Sequence, residues 1–359
     1  MAQPAAETEF TLDTAAELAA EEPSAVIRGR SPWYLAWRRL RRNYVAFGFL
    51  ALFVVIVVAC LLAPVYAHHV AHTGANNTHV LDQITVHGKR IDVVSKGGVL
   101  GGKLVASTPV GPQWFAAGGK YVLGADTLGR DIAVRLLYGG RTSLFVGIVS
   151  SLICVVAATI LALLAGFYGG WLDFVITRFF DLFYAFPVIL LGIALGAALA
   201  INGINWGPIK VHSGNILIPT LIISYVLIPY VGRPLRGQVL SLRQKEFVEA
   251  AIAQGAGPLR IMFTELLPNV ASSILVFFTL IIANNIVLEA ALSFLGAGVQ
   301  PPTASWGTLI SDAQSLIVTR PWFAVMPGIA IVLTVLALNV FGDGLRDALD
   351  PRAKVKVEH

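Results

Sequence analysis

The chain has 359 residues, 56% of them hydrophobic and 13% charged, with a formal net charge of +5 and a mean hydropathy of +0.73. This is too apolar for an ordinary water-soluble domain of that length, so lipid is the expected solvent. The positive balance does not point to nucleic acid, because the Lys and Arg residues border apolar runs, where they set topology and meet anionic lipid.

Residues 1–30 are rich in Ala and Glu and read as a disordered cytoplasmic tail. Arg28, Arg30, Arg38, Arg39, Arg41 and Arg42 then crowd ahead of the first apolar run, 44–66. That run is too long and begins too late for a cleaved leader, so residues 31–67 are expected to hold a permanent first transmembrane helix. Basic clusters stay on the cytoplasmic side, which puts the N-terminus inside.

Residues 68–142 form an extracytoplasmic loop that ends in an interfacial helix. His68, His69 and His72, with His79 and His87 further on, have imidazoles suited to nickel or zinc, yet no cysteine or tight carboxylate cluster completes a set, and no metal site is assigned. TVHGKRIDVV and the Gly-rich KGGVLGGKL suggest a small hairpin or an irregular cap over the outer face. Asp126, Arg130, Asp131 and Arg135 follow at spacings that allow pairing on one helix face. Two readings stand for Asp126, Arg130 and Asp131: an outer-face contact for a substrate-delivering protein, or the cap of an interfacial helix.

Five more apolar runs follow, 143–167, 185–201, 216–231, 270–292 and 323–341. In lipid such runs must be helices, since an open sheet edge would leave its backbone unsatisfied. Six spans return the C-terminal tail, 346–359, to the cytoplasm, and its Arg346, Arg352, Lys354 and Lys356 agree with that orientation. Cys60 and Cys154 both fall inside apolar runs and read as small hydrophobes. Asn284, Asn285 and Glu289 are the polar exceptions of the fifth run. Such residues face a bundle interior, a partner or a water-filled path, and Glu289 reads either as a translocation-path residue or as a cap near the outer interface.

The connection between the fourth and fifth runs, LSLRQKEFVEAAIAQGAGPLRIMFTELLPNV, is amphipathic and too polar to enter the bilayer. Residues 241–254 lack Gly and Pro and predict a surface helix, ended by Gly255. A second helix is expected over 259–267, stopping at Pro268. The paired small residues Ala250 and Ala251 let another protein approach the helix backbone closely, so this is a docking element.

Glu249, Ala250 and Ala251, then Gly255, then Leu267 and Pro268, resemble the EAA signature of binding-protein-dependent ABC importer permeases. Glu265 departs from the general signature, where isoleucine is common, in the manner of the peptide-importer branch. Four more stretches resemble the C-type subunit of dipeptide, oligopeptide and nickel permeases: residues 31–67, LGADTLGRDIAVRLLYGGRTSLFVG, EAALSFLGAGVQPPTASWGTLISDA and NVFGDGLRDALDPR. The resemblance implies an all-α polytopic membrane protein of six transmembrane helices, with a five-helix core over 143–345 behind one added N-terminal helix. It implies that the coupling loop, 233–268, seats on an ATPase subunit. It further implies a second homologous permease, two ATPase subunits that bind ATP and Mg, an extracytoplasmic substrate-binding protein, and a multi-pass place in a prokaryotic inner or plasma membrane. No cofactor and no catalytic residue are implied for this chain, and the substrate is a di- or oligopeptide, with nickel or another small solute as the alternative.

No Gly-x-x-x-x-Gly-Lys-[Ser/Thr] occurs, so the ATP site belongs to another chain; nor do His-Glu-x-x-His or Gly-x-Ser-x-Gly, which argues against a membrane hydrolase. An ion-driven secondary transporter is the rival of a different class. It calls for midplane ionisable residues and an internal repeat, neither of which stands out.

Overall fold

The computed structural model describes residues 32–349, apart from residues 96, 101, 102, 106, 115, 207 and 208. The expected tail 1–30 with Arg28 and Arg30, and residues 350–359 with Arg352, Lys354 and Lys356, lie outside the described residues.

An amphipathic helix α1 (Pro32–Arg42) carries Arg39, Arg41 and Arg42 in its last turn. Asn43 then starts α2 (Tyr44–Leu61), its side chain accepting from Ala46 N at 3.0 Å. Apolar all round and mostly exposed, α2 is the first expected span. It packs chiefly along the last helix, with lighter contact to the next long helix.

The segment that follows holds two antiparallel hairpins, β1 (Gln83–Val86) with β2 (Lys89–Asp92), and β3 (Gly98–Leu100) with β4 (Lys103–Val105). The first turns at His87 and Gly88, both at positive φ, the pairing a two-residue hairpin favours. Ile84, Val93, Val94, Val110, Tyr121 and Ala125 give this segment a small core of its own.

Helix α3 (Ile132–Tyr168) has 37 residues, about 55 Å at 1.5 Å per residue and longer than a hydrocarbon core of about 30 Å. The separate interfacial helix expected before residue 143 is therefore the outer end of the second span. Gly139 and Gly140 keep that end continuous and tightly packed, with Ser305 and Trp306 lying where a Cβ would go.

The third expected span is corrected. Helix α4 (Gly170–Tyr184) meets α5 (Val188–Asn202) at 90° across Pro187, and only the pair together passes for a span. At 15 residues, α5 reaches about 22 Å, short of a full crossing by itself. Five other segments are long and apolar enough to cross a membrane: α2, α3, α6 (Leu217–Arg243), the segment Pro258–Phe294 and α10 (Trp322–Leu349). A third hairpin, β5 (Ile204–Trp206) with β6 (Ile209–Val211), joins α5 to α6.

Two helix limits also differ from expectation. Helix α6 continues past residue 231 to Arg243, so the surface helix expected over 241–254, α7, is shorter, Glu246–Ala253. Pro268 does not stop the next helix. A turn from Pro258 runs through a π-helical segment, Ile261–Leu266, into α8 (Leu267–Phe294), with Leu267 N bonding to Met262 O. The wider turn lets the chain pass Pro268, which has no N–H to give.

After α8, a short helix α9 (Trp306–Asp312) with a Ser305–Thr308 capping box leads to α10. The bundle core lies where α3, α6 and α8 meet α4, with Cys154, Ala158, Phe180, Ile223, Val231, Leu235, Ile281 and Leu292 buried together. Both cysteines are free and buried. Helix α1 packs on α10, and Leu40, Ala46 and Ala348 share a cluster, so both described ends lie at one end of the bundle.

Candidate functional site

The connection between α6 and α8 presents a two-sided helix. Val248 is fully buried and Ala251 half-buried in a cluster with Leu163, Val239, Ile261 and Leu266, which fixes α7 against α3, α6 and the π-helical segment. Glu249, Ala250 and Gly255 are exposed on the other side. Large apolar groups are exposed beside them, Ile252 at 57%, Leu259 at 65% and Phe263 at 58%. No part of the described chain covers this surface, and apolar exposure of this size rimmed by Glu246, Glu249 and Arg260 is typical of a protein contact.

Gly255, at φ +79°, ends α7 in a Schellman arrangement, with Ala256 N bonding to Ala251 O at 3.0 Å and Gly255 N to Ile252 O at 2.9 Å. Leu267 is half-buried and Pro268 exposed, both at the start of α8 and separated from α7 by the π-helical segment. The six residues Glu249, Ala250, Ala251, Gly255, Leu267 and Pro268 thus belong to one local unit.

The polar residues of α8 divide. Asn284 is exposed, whereas Asn285 and Glu289 are fully buried within this chain. The Asn285 amide lies 2.7 Å from Ser150 Oγ and 2.9 Å from Ser151 Oγ of α3. Glu289 accepts from Ser143 Oγ and from Ser293 Oγ, each at 2.7 Å. A path-facing place for Asn285 and Glu289 is corrected for this conformation: both tie α8 to its own bundle, because α3 offers them hydroxyls and solvent does not reach them.

The outer-face contact reading of Asp126, Arg130 and Asp131 is also corrected, since all three are buried, Asp131 completely. Asp131 caps α3, accepting from Ala133 N at 2.9 Å, Val134 N at 3.2 Å and Tyr121 N at 2.6 Å. Burial lifts its carboxyl above the ordinary carboxylate range, against the lowering effect of those amides. Arg130 bonds Asp126 at 2.6 Å, and both Arg130 and Arg135 reach Asp312 of α9 at 3.1 Å. Of the two sequence readings, the helix cap is the one the geometry carries, enlarged by Asp312. Nothing in the sequence paired Asp312 with residues some 180 positions away.

His79 bonds Asp82 at 2.7 Å and Thr73 at 2.9 Å, and among the described residues no group of three His, Cys, Asp or Glu side chains is arranged to hold a metal ion.

Residues 158–355 match the family of binding-protein-dependent transport system inner membrane components, and residues 31–79 match the N-terminal transmembrane domain of oligopeptide transport permease C. The chain belongs to this permease family. It is 38% identical over 325 residues to the glutathione transport system permease protein GsiD of Pectobacterium atrosepticum, covering 90% of this chain and 93% of that protein. The GsiD proteins of Escherichia coli O6:K15:H31 and Shigella boydii serotype 4 are each 39% identical, over 90% of this chain and 92% of theirs. Among solved structures, an inward-facing MetNI methionine ABC transporter aligns with a TM-score of 0.48 and 17% identity, over 60% of this chain and 96% of that one. The protein is accordingly a multi-pass permease subunit of an ABC importer, and the expected all-α, polytopic fold class stands, with five segments long and apolar enough to cross and α4 and α5 forming a bent pair.

Proposed function

We propose that this permease carries small peptides, of di- to oligopeptide size, inward across a prokaryotic inner or plasma membrane. With a second homologous permease it encloses the path, and its α7 surface seats on one of two ATPase subunits. Those partners bind and hydrolyse ATP with Mg; this chain contributes no catalytic group. A soluble extracytoplasmic binding protein delivers the substrate. The N- and C-termini are cytoplasmic, as the Arg cluster at the end of α1 supports.

The observation that carries the reading is the exposed Glu249, Ala250 and Ile252 side of a helix whose other side is anchored by Val248. A load applied to α7 reaches α6 through Gln244 and Lys245, and reaches α8 through the π-helical segment. Asn284, exposed on α8, offers the path an uncharged hydrogen-bonding group suited to a peptide backbone, while Asn285 and Glu289 brace the wall from behind. The peptide class is supported by relatives named as glutathione transport permeases and by the oligopeptide-type N-terminal domain.

The test is co-purification of the assembled importer with Glu249→Arg and Ala250→Trp, together with uptake of labelled glutathione and dipeptides into proteoliposomes. Loss of the ATPases from a folded permease is expected. A fully assembled, fully coupled importer in both variants would overturn the docking assignment, and uptake of neither peptide class would overturn the substrate assignment.

A further inference from the structure

Helix α4 sits between two breaks and is clamped to the helix that leads into α7. At its start, Gly169 and Gly170 both have positive φ, +66° and +56°, a conformation L side chains avoid. At its end, the chain turns 90° across Pro187 into α5. Between these breaks α4 meets the inner part of α6 at three places. Arg236 forks onto Asp173, its Nε bonding one carboxylate oxygen and its Nη2 the other, the latter at 2.5 Å. Arg233 bonds Asp181 and lies over the Tyr184 ring at 4.2 Å. Fully buried Phe180 fills the notch at Gly232, its ring tip lying where a Cβ would be.

The spacing explains the fit. Asp173, Phe180, Asp181 and Tyr184 lie along one stripe of α4, and Gly232, Arg233 and Arg236 lie on one side of α6. Arg236 and Asp173 meet in a planar two-bond contact, the geometry that makes an Arg–carboxylate pair both strong and specific. Only Gln244 and Lys245 separate α6 from α7.

We propose that the Arg236–Asp173 and Arg233–Asp181 pairs form a clamp that makes α4 travel with α7, so that a load on the docking helix is delivered to α5 as well as to α6 and α8. The inference rests on the docking reading of α7. The diglycine at one end and the Pro187 break at the other let α4 swing as a rigid lever, and the clamp sets what it swings with. Asp173, Asp181, Arg233 and Arg236 are positioning residues in this scheme and need not touch the peptide.

The experiment reconstitutes the complete importer with Asp173→Arg, Arg236→Asp and the double reversal of both, and reads ATPase retention, ATP hydrolysis and peptide uptake in each. The single reversals are expected to keep the ATPases while peptide taken up per ATP falls about tenfold, and the double reversal to recover most of it. A parallel fall in hydrolysis and uptake, an unchanged uptake per ATP, or a double reversal no better than the singles would each overturn the clamp. In the unreversed permease, spin labels at exposed Leu182 and Ala253 should keep their separation on ATP binding while both move against a label at Val332 of α10. A changed Leu182–Ala253 separation would overturn it without any charge variant. ATPase retention by Glu249→Arg would remove the docking reading first, and with it the clamp's purpose.

Discussion

Ser143 and Glu289 meet at 2.7 Å across the α3–α8 interface, joining helices 146 residues apart through a carboxyl with no solvent contact and, among the described residues, no ion-pair partner. The other carboxyl oxygen accepts from Ser293, and each serine accepts a backbone N–H in turn, Trp306 N at 3.1 Å and Val299 N at 2.9 Å. One side chain therefore orders the whole turn from α8 to α9. Glu289→Ala should destabilise the purified permease by about 3 kcal/mol, because two hydroxyls lose their acceptor in a dry site, whereas Glu289→Gln should cost about 1 kcal/mol. Thermal unfolding followed by circular dichroism in detergent separates the two; equal midpoints would show that the network contributes little.

Asp126 stands beside two buried guanidinium groups, bonded to Arg130 and 3.8 Å from Arg135 Nε, a nitrogen without a hydrogen-bond partner among the described residues. Removing one partner of a buried charge group leaves the rest uncompensated. Asp126→Asn should cost about 3 kcal/mol, and adding Arg135→Met should return roughly half of that, since the surplus positive charge is then gone. The same unfolding assay reads this cycle, and simple additivity of the two changes would contradict it.

Gly140 and Gly237 are both helical but differ in their neighbours. A Cβ at Gly140 would strike Cys60 Sγ and lie 2.9 Å from the Trp306 ring, while at Gly237 nothing lies within 4 Å. Gly140→Ala should lower stability by about 2 kcal/mol by prising α2 and α9 from α3. Gly237→Ala in the isolated permease should raise stability by roughly 0.5–1 kcal/mol through helix propensity alone. Opposite shifts of the unfolding midpoint are the expected result.

Gly255 has open space around it but φ +79°, so the cost of a side chain there is one of backbone conformation. Gly255→Ala should strain the end of α7 by about 1 kcal/mol and lower coupled ATP hydrolysis about fivefold. Gly255→Asn should lose less, because Asn enters the left-handed region more readily. Stimulated hydrolysis in the assembled importer gives the comparison, and equal rates for all three residues would count against a shaped α7 terminus.

Much of this was legible in the sequence because lipid imposes a simple rule: runs such as 44–66 and 270–292 have no structure open to them but a helix. Helix α7 was legible because Glu249, Ala250 and Ala251 sit on a polar segment that cannot enter the bilayer. Its limits were not, since whether α6 ends at 231 or at 243 depends on Asp173 and Asp181 offering partners to Arg236 and Arg233. Pro268 misled for a similar reason: a proline is a stop in an isolated α-helix, yet the preceding π-helical segment carries the chain past it. Glu289 and Asp126 were rightly singled out as unusual. Ser143 and Ser293, the partners of Glu289, and Asp312, which pairs with Arg130 and Arg135 beside Asp126, are common residues in unremarkable settings, and only folding brings them near.

The segment with the hairpins β1–β2 and β3–β4 is tied to the bundle at widely separated points. Arg135 holds Ala75 O at 3.3 Å, Arg320 holds Pro109 O at 3.3 Å, and Arg130 reaches from Asp126 to Asp312. Between these moorings it packs around an apolar core of its own. The anchors sit in the first turn of α3, in α9 and just ahead of α10, so any rearrangement that parts these elements must stretch or break a mooring. The segment thereby braces these three elements against one another, and the brace is made by three arginines.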